Sequence, residues 1–221
     1  MTRVANSTFR IEDQFYQSMV RYIESLWRYG PSKLLVIRLD FGSRQELSST
    51  ISCDQIKSYF ERFKKNMRHN VIFNHQLGNC WSLEFAPDKG YHYHCLFIFD
   101  GNQVQNDVYR ADQIGQYWLE NVTRGVGVYW NCNRYTKNYI HHGIGMIDYR
   151  DSVKREVLLT HVLPYLAKQD HLIRSAIQRD NIALETFHGI RKVRTYGVSH
   201  PLTKRRSPAG RPRSTSQPPQ A

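Results

Sequence analysis

Cysteine is scarce in this chain. Only Cys53, Cys80, Cys95 and Cys132 occur in 221 residues, and no two form a C-x-x-C pair. That argues against a disulfide framework or a zinc knuckle and fits a reducing compartment. Long apolar runs are missing too. None approaches the roughly 18 residues of a membrane span, and the opening stretch MTRVANSTFRIEDQF has no apolar core of the kind a secretory signal needs. The expectation is a cytoplasmic protein with no membrane partner. There is no G-x-x-x-x-G-K-[ST] loop, so no nucleotide-driven motor can be read here. Acidic charge is in short supply: 19 Asp and Glu against 31 Lys and Arg leave a net charge of +12. Such a surplus points to a polyanionic partner, most often nucleic acid. Hydrophobic residues at 40% and aromatic residues at 13% exclude a wholly disordered chain.

The composition changes at the C-terminal end. Residues 203–221 read TKRRSPAGRPRSTSQPPQA, with Lys204, Arg205, Arg206, Arg211 and Arg213 and no acidic residue. This stretch has no large apolar side chain to offset the entropy of folding, so a disordered, phosphate-seeking tail is expected. Taking those five charges from +12 leaves residues 1–202 at +7, so the body is basic in its own right.

Apolar residues recur at near-helical spacing from Phe9 to Trp27 (Phe15, Met19, Tyr22, Ile23, Leu26), and Gly30-Pro31 closes that pattern. Residues 1–30 thus read as a leading helical segment packed on the core. The run Leu34 to Phe41 is nearly all apolar and too short for a helix, as suits a strand covered on both faces. Ser52 with Gln55 resembles a capping box before a helix through Ile56, Phe60, Phe63 and Met67. Trp81–Phe85 and Tyr91–Phe99 read as strands about a Pro87–Gly90 turn. A helix is expected over Asp112–Asn121, strands over Gly127–Cys132 and Gly143–Tyr149, and a helix from near Asp151. The succession predicts an α+β domain over residues 31–202, with a central antiparallel sheet of about five strands flanked by helices.

The sharpest local feature is His92-Tyr93-His94 within a strand. Strand side chains alternate faces, so both imidazoles project to one side, at a backbone separation of roughly 7 Å. Two imidazoles so placed can share a divalent metal. Glu84 lies on the preceding strand. A turn centred between Asp88 and Lys89 pairs it with Tyr93, on the wrong face. A one-residue shift pairs it with His92 and completes a Glu84, His92, His94 ligand set. The sequence leaves both registers open. Imidazole alone suits zinc or copper, whereas a carboxylate and phosphate oxygens favour Mg²⁺ or Mn²⁺.

A second feature is Tyr165-Leu166-Ala167-Lys168. Tyr165 and Lys168 share a helix face, with His161 at i−4 on the same face. Pro164 should break or kink the helix just before Tyr165. Arg38 and Asp40 share a strand face, as a structural pair or as part of a floor under DNA. His141-His142 is a poor chelate, because adjacent strand residues point to opposite faces. Trp81, Tyr91 and Tyr93 are expected in the core rather than stacked on bases.

The joint pattern of His-x-His on one strand, a carboxylate on the strand before it and Tyr-x-x-Lys on a later helix resembles the HUH nucleases. Within these it is similar to the inovirus-type replication initiation proteins and the related YagK/YfjJ-type prophage proteins. Leu35–Phe41 resembles the first strand motif, Trp81–Phe99 the metal motif, Pro164–Asp170 the tyrosine motif and Arg194–Gly197 the closing segment. Phe99-Asp100 departs from the Leu-Asn expected after the metal strand. The resemblance covers about residues 10–200.

It implies a single-tyrosine, metal-dependent, site-specific DNA nicking and joining enzyme that starts rolling-circle replication of a phage or prophage element. Glu84, His92 and His94 would hold Mg²⁺ or Mn²⁺, and Tyr165 would attack phosphorus to give a 5′-phosphotyrosine and a free 3′-OH. Lys168 would aid the chemistry or hold DNA. Tyr139 and Tyr149, near predicted strand ends, are rival nucleophiles. Arg38, Lys204, Arg205 and Arg206 are candidate DNA contacts. Partners would be single-stranded or supercoiled origin DNA, with a host helicase and polymerase. Two alternatives are a non-catalytic DNA-binding regulator on the same scaffold and a related HUH transposase.

Overall fold

The structure, a computed structural model, describes residues 10–184 and 193–203. Its elements in chain order are α1 (Asp13–Tyr29), β1 (Lys33–Ser43), α2 (Cys53–Met67), β2 (Gln76–Ala86), β3 (Gly90–Asp100), α3 (Asp107–Tyr117), β4 (Gly127–Asn131), β5 (Gly145–Asp148), α4 (Ser152–Val157), α5 (Leu163–Leu166), α6 (Ile173–Leu184) and β6 (Tyr196–Val198). The expected α+β class holds, with six strands rather than about five, all paired antiparallel. The order across the sheet is β4-β1-β3-β2-β6, and β5 also pairs with β1. The expected disordered tail and its Lys204, Arg205 and Arg206 lie outside the described residues.

β4 and β5 share one edge of β1. β5 pairs with Lys33–Val36 and β4 with Leu39–Ser43. In the gap the Arg38 amide donates to Asn133 Oδ1 at 2.9 Å, while Asn133 Nδ2 donates to the Val36 carbonyl at 3.0 Å. One side-chain amide therefore replaces the missing ladder rungs, as a buried backbone requires.

Period-two alternation along the central strands gives the sheet two unlike faces. Leu35, Ile37, Leu39, Phe41, Tyr93, Cys95, Phe97 and Phe99 turn to one side and pack with residues of α2 and α3. Trp81 and Tyr91 are buried in this cluster, as expected. Leu34, Val36, Cys80, Leu96 and Ile98 turn to the other side, under α1 and the helical run ending in α5. Each large apolar side chain so covered contributes about 1.5–3 kcal/mol. On that second face the apolar residues stop partway along the strands. Arg38 and Asp40 on β1, Ser82 and Glu84 on β2 and His92 and His94 on β3 continue it as a polar patch, most of it buried.

Four departures from expectation have local causes. α3 begins five residues early because Asn106 caps it, its Oδ1 accepting from the Tyr109 amide at 3.0 Å. β2 extends back to Gln76 through a bulge near Gly78 that hides its alternation. β6 is only three residues long, too short to show a pattern. Pro164 does not break its helix. α4 passes through a five-residue π turn, Leu158–Val162, directly into α5. In that wider register the partner of a residue-164 amide would be the Leu159 carbonyl. Proline has no N–H to give, and the Tyr16 hydroxyl donates to Leu159 O at 3.3 Å instead.

The hairpin register follows from Gly90. Pro87, Asp88 and Lys89 form the turn, and Gly90 takes φ +66° to close it against Ala86. This loop makes Glu84 the partner of His92, the second of the two registers open in the sequence. A Cβ at position 90 would meet Ser48 O at 2.6 Å and hold a backbone conformation L-residues rarely adopt. Gly90→Ala should therefore lower unfolding stability by about 1–3 kcal/mol, measured by urea denaturation, whereas Lys89→Ala at the exposed tip should stay within about 0.5 kcal/mol of the parent.

Candidate metal centre

Alternation on β3 puts His92 and His94 on one face, with ring centroids 5.1 Å apart. Register places Glu84 beside them from β2. One ligand atom from each of Glu84, His92 and His94 lies within 4.8 Å of the others. Glu84 and His94 are buried and His92 half-buried.

Both imidazoles are oriented through Nδ1. His92 Nδ1 lies 3.0 Å from the Gly90 carbonyl, and His94 Nδ1 lies 2.7 Å from Asp40 Oδ1. A carbonyl or carboxylate oxygen only accepts, so each Nδ1 carries the proton. In the neutral His92 ring the Nε2 lone pair is then left on the side of Glu84, whereas His94, flanked by Asp40 and Glu84, holds a second proton on Nε2 that a bound cation would displace. The two Nε2 atoms stand 3.9 Å and 3.3 Å from Glu84 Oε2. A carboxylate or carbonyl behind each ligating histidine is the arrangement that fixes ring orientation in metal sites. From the sequence Asp40 is expected as a structural pair with Arg38 or as part of a floor under DNA. Its role behind His94 depends on β1 pairing with β3, where Asp40 faces His94 across the ladder.

Charge is concentrated here. Burial alone would push the Asp40 carboxyl up, but the His94 imidazolium and the Arg38 guanidinium, 3.8 Å away, hold it far below the usual carboxylate range. Burial likewise opposes ionisation of Glu84, yet His94 and Lys168 hold its carboxyl below its ordinary value. Burial would depress His94, but Asp40 and Glu84 push it up to about 10. His92 is pushed down, by burial and then by the charge on His94. Lys168 Nζ lies 2.9 Å from Glu84 Oε2, and that ion pair raises the ammonium despite its partial burial.

Two polar atoms in the group remain unsatisfied. Glu84 Oε1 and His94 Nε2 are buried without a hydrogen-bond partner, the 3.3 Å approach of His94 Nε2 to Glu84 being poorly aligned. Orphans of this kind cost about 1–3 kcal/mol each. A cation held by the Glu84 carboxylate and the two imidazole nitrogens would give these groups a partner, so the residues present fit a metal ion.

Family models, curated proteins and solved structures were all compared with this chain, and none matches.

The tyrosine motif meets the ligand group. α5 carries Tyr165 over the polar patch, its ring 5.5 Å from that of His94 and edge-on at 76°. Lys168 Nζ lies 4.5 Å from the Tyr165 ring centroid and the Arg38 guanidinium 4.2 Å from it. Lys168 is itself pinned from outside the helix. Ile11 bridges to it as a short antiparallel pair, with Glu12 N–H donating to Ala167 O and Gln169 N–H to Arg10 O, both at 2.7 Å. Arg38, buried among these groups, behaves as the structural partner of Asp40. Its guanidinium also approaches the Tyr139 ring at 5.5 Å.

The remaining candidates separate cleanly. Tyr139 shares a cleft of about 670 Å³ with Tyr165, His92 and His94. Tyr149 is exposed beside Ser32 at the opposite end of β1, away from the ligand group. His161 does not join Tyr165. The π turn rotates it off the i−4 position, and it stacks on His141 at 3.6 Å. His142 is exposed in the same loop. Among the described residues no helix is long and apolar enough to cross a membrane.

Calorimetric titration with Mn²⁺ should find one site per chain. His92→Ala should abolish it, and Asp40→Asn should weaken it by about 10–100-fold while leaving the fold intact.

Proposed function

We propose that this chain nicks and rejoins single-stranded DNA at a defined site through a covalent Tyr165 intermediate, as an HUH-type initiator of rolling-circle replication for a phage-like element. The observation that carries the reading is the phenol of Tyr165 at the rim of the Glu84, His92, His94 group, between the cationic ends of Arg38 and Lys168. A hydrolase that activates water on its metal needs no side-chain nucleophile there, and a simple DNA binder has no use for a buried carboxylate beside two imidazoles, since that carboxylate would repel phosphate.

Glu84, His92 and His94 would hold Mg²⁺ or Mn²⁺, choices favoured by the carboxylate ligand and the phosphate oxygens of the substrate. That ion, when bound, neutralises charge on the scissile phosphate and makes phosphorus more electrophilic. The rest falls to the protein. Tyr165 Oη forms a bond to phosphorus and gives up its proton to solvent. The P–O3′ bond breaks, and the 3′ oxygen leaves as a hydroxyl after taking up a proton. Arg38 and Lys168 sit where they can stabilise negative charge building on the phenolic oxygen and on phosphate. The phosphodiester energy stays in the tyrosine ester, so a returning 3′-OH reseals the strand without a nucleotide cofactor. In the interval the free 3′-OH primes a host polymerase. Duplex opening would fall to negative supercoiling or a host helicase, since the sequence carries no motor motif.

The full chain, incubated with Mn²⁺ and single-stranded DNA spanning the encoding element's intergenic region, should form a denaturation-resistant adduct that peptide mass maps to Tyr165. Tyr165→Phe should lower adduct yield at least about 100-fold with little change in DNA affinity, and Tyr139→Phe should retain it. An adduct formed by Tyr165→Phe moves the nucleophile elsewhere. No adduct from the parent chain with either metal removes the reading.

A further inference from the structure

The polar face of the sheet does not end at the ligand group. Across the strands one rung runs Ser82, His94, Asp40, Trp130, and Gly42 beside it faces Val128. Paired residues in an antiparallel ladder point to the same side, so Trp130 and Val128 on β4 lie on the face that carries the histidines. Trp130 is two strands from His94, about 10 Å by strand spacing. Strand β4 lies at the sheet edge, and both residues line the same cleft as His92, His94 and Tyr165. Trp130 and Val128 keep 43% and 42% of their surface exposed. Tyr135, 40% exposed, lies against the indole with centroids 4.2 Å apart and planes 16° from parallel.

Large rings left in water at the mouth of a cleft lose the burial energy that keeps their counterparts in the core. Of the other three tryptophans, Trp118 is fully buried, Trp81 nearly so and Trp27 half-buried. Two near-parallel rings with open surface form a platform on which a further flat ring can stack. Outside the ligand group, charge in the cleft does not select the ligand, because Arg38 and Lys89 are matched by Asp40 and Asp88. Attraction to a polyanion comes from the chain's net +12, and contact at the shelf must come through the rings.

We propose that the Trp130–Tyr135 shelf is a base-stacking subsite for single-stranded DNA. It holds unpaired nucleobases no more than about three stacked nucleotides from the bond addressed by Tyr165. The assignment of DNA rests on the function proposed above. The stacking itself does not require cleavage.

The test compares binding of oligothymidine with binding of an abasic strand of equal length and charge, using the full chain in chelator. The parent chain should prefer oligothymidine by about tenfold or more, and W130A should reduce that preference to within about twofold. W130F, which keeps a ring, should retain most of it, and Y135A should lower it roughly threefold. Should W130A melt early, W130F and Y135A decide the matter between them. A base preference unchanged in both W130A and Y135A overturns the subsite. Chelation separates this outcome from the nicking reaction. A chain that shows the preference but never forms an adduct keeps the shelf and loses the enzyme. A chain that forms adduct, with a preference indifferent to position 130, keeps the enzyme and loses the shelf.

Discussion

A carboxylate and an imidazole are hidden from water at the end of an otherwise apolar sheet face, and the rest of this site is arranged around their charges. Glu84 and His94 keep only 5% and 4% of their surface exposed. Unpaired, such groups would neutralise or unfold the local structure. Asp40 and Arg38 answer from β1, and Lys168 answers from the helical side at 2.9 Å from Glu84 Oε2. The result is a chain of alternating charge that ends on a phenol. Lys168 here serves as the counter-ion of Glu84. A divalent ion in the same group would take over that role and free the ammonium for the phenol or a phosphate.

The scaffold fixes these groups from three directions. The Gly90 turn sets the register that brings Glu84 opposite His92. The β1–β3 ladder brings Asp40 opposite His94. The third direction is helical: the π turn delivers Tyr165 over the patch, and the segment before α1 bridges to Lys168. Only the hairpin contact is local in sequence, so the full site exists only when β1 and the helical layer that carries Tyr165 are assembled on the β2–β3 hairpin. Beyond it the exposed face of β4 continues the cleft as an aromatic shelf.

Much of this was legible from residue order. Alternation made His92 and His94 same-sided, the apolar run of β1 announced a strand covered on both faces, and Tyr165 with Lys168 stood out by spacing. What stayed hidden depended on pairing. Glu84 had two registers, and only a positive-φ glycine closing the turn selects one. Asp40 looked like a neighbour of Arg38 until β1 was seen to pair with β3. An α-helical period puts His161 on the face of Tyr165, and the π turn shifts that count. Trp130 gave no signal at all, since its exposure follows from β4 lying at the sheet edge.

The central claim is that Glu84, His92 and His94 grip a divalent ion within reach of the Tyr165 hydroxyl. Anomalous diffraction from crystals of the full chain grown with Mn²⁺ tests it most directly. The account predicts one strong peak bounded by the Glu84 carboxylate and the two histidine Nε2 atoms, with Lys168 Nζ withdrawn from Glu84 and the Tyr165 hydroxyl facing the ion. A peak elsewhere, or an intact Lys168–Glu84 ion pair with no density between the histidines, would contradict it.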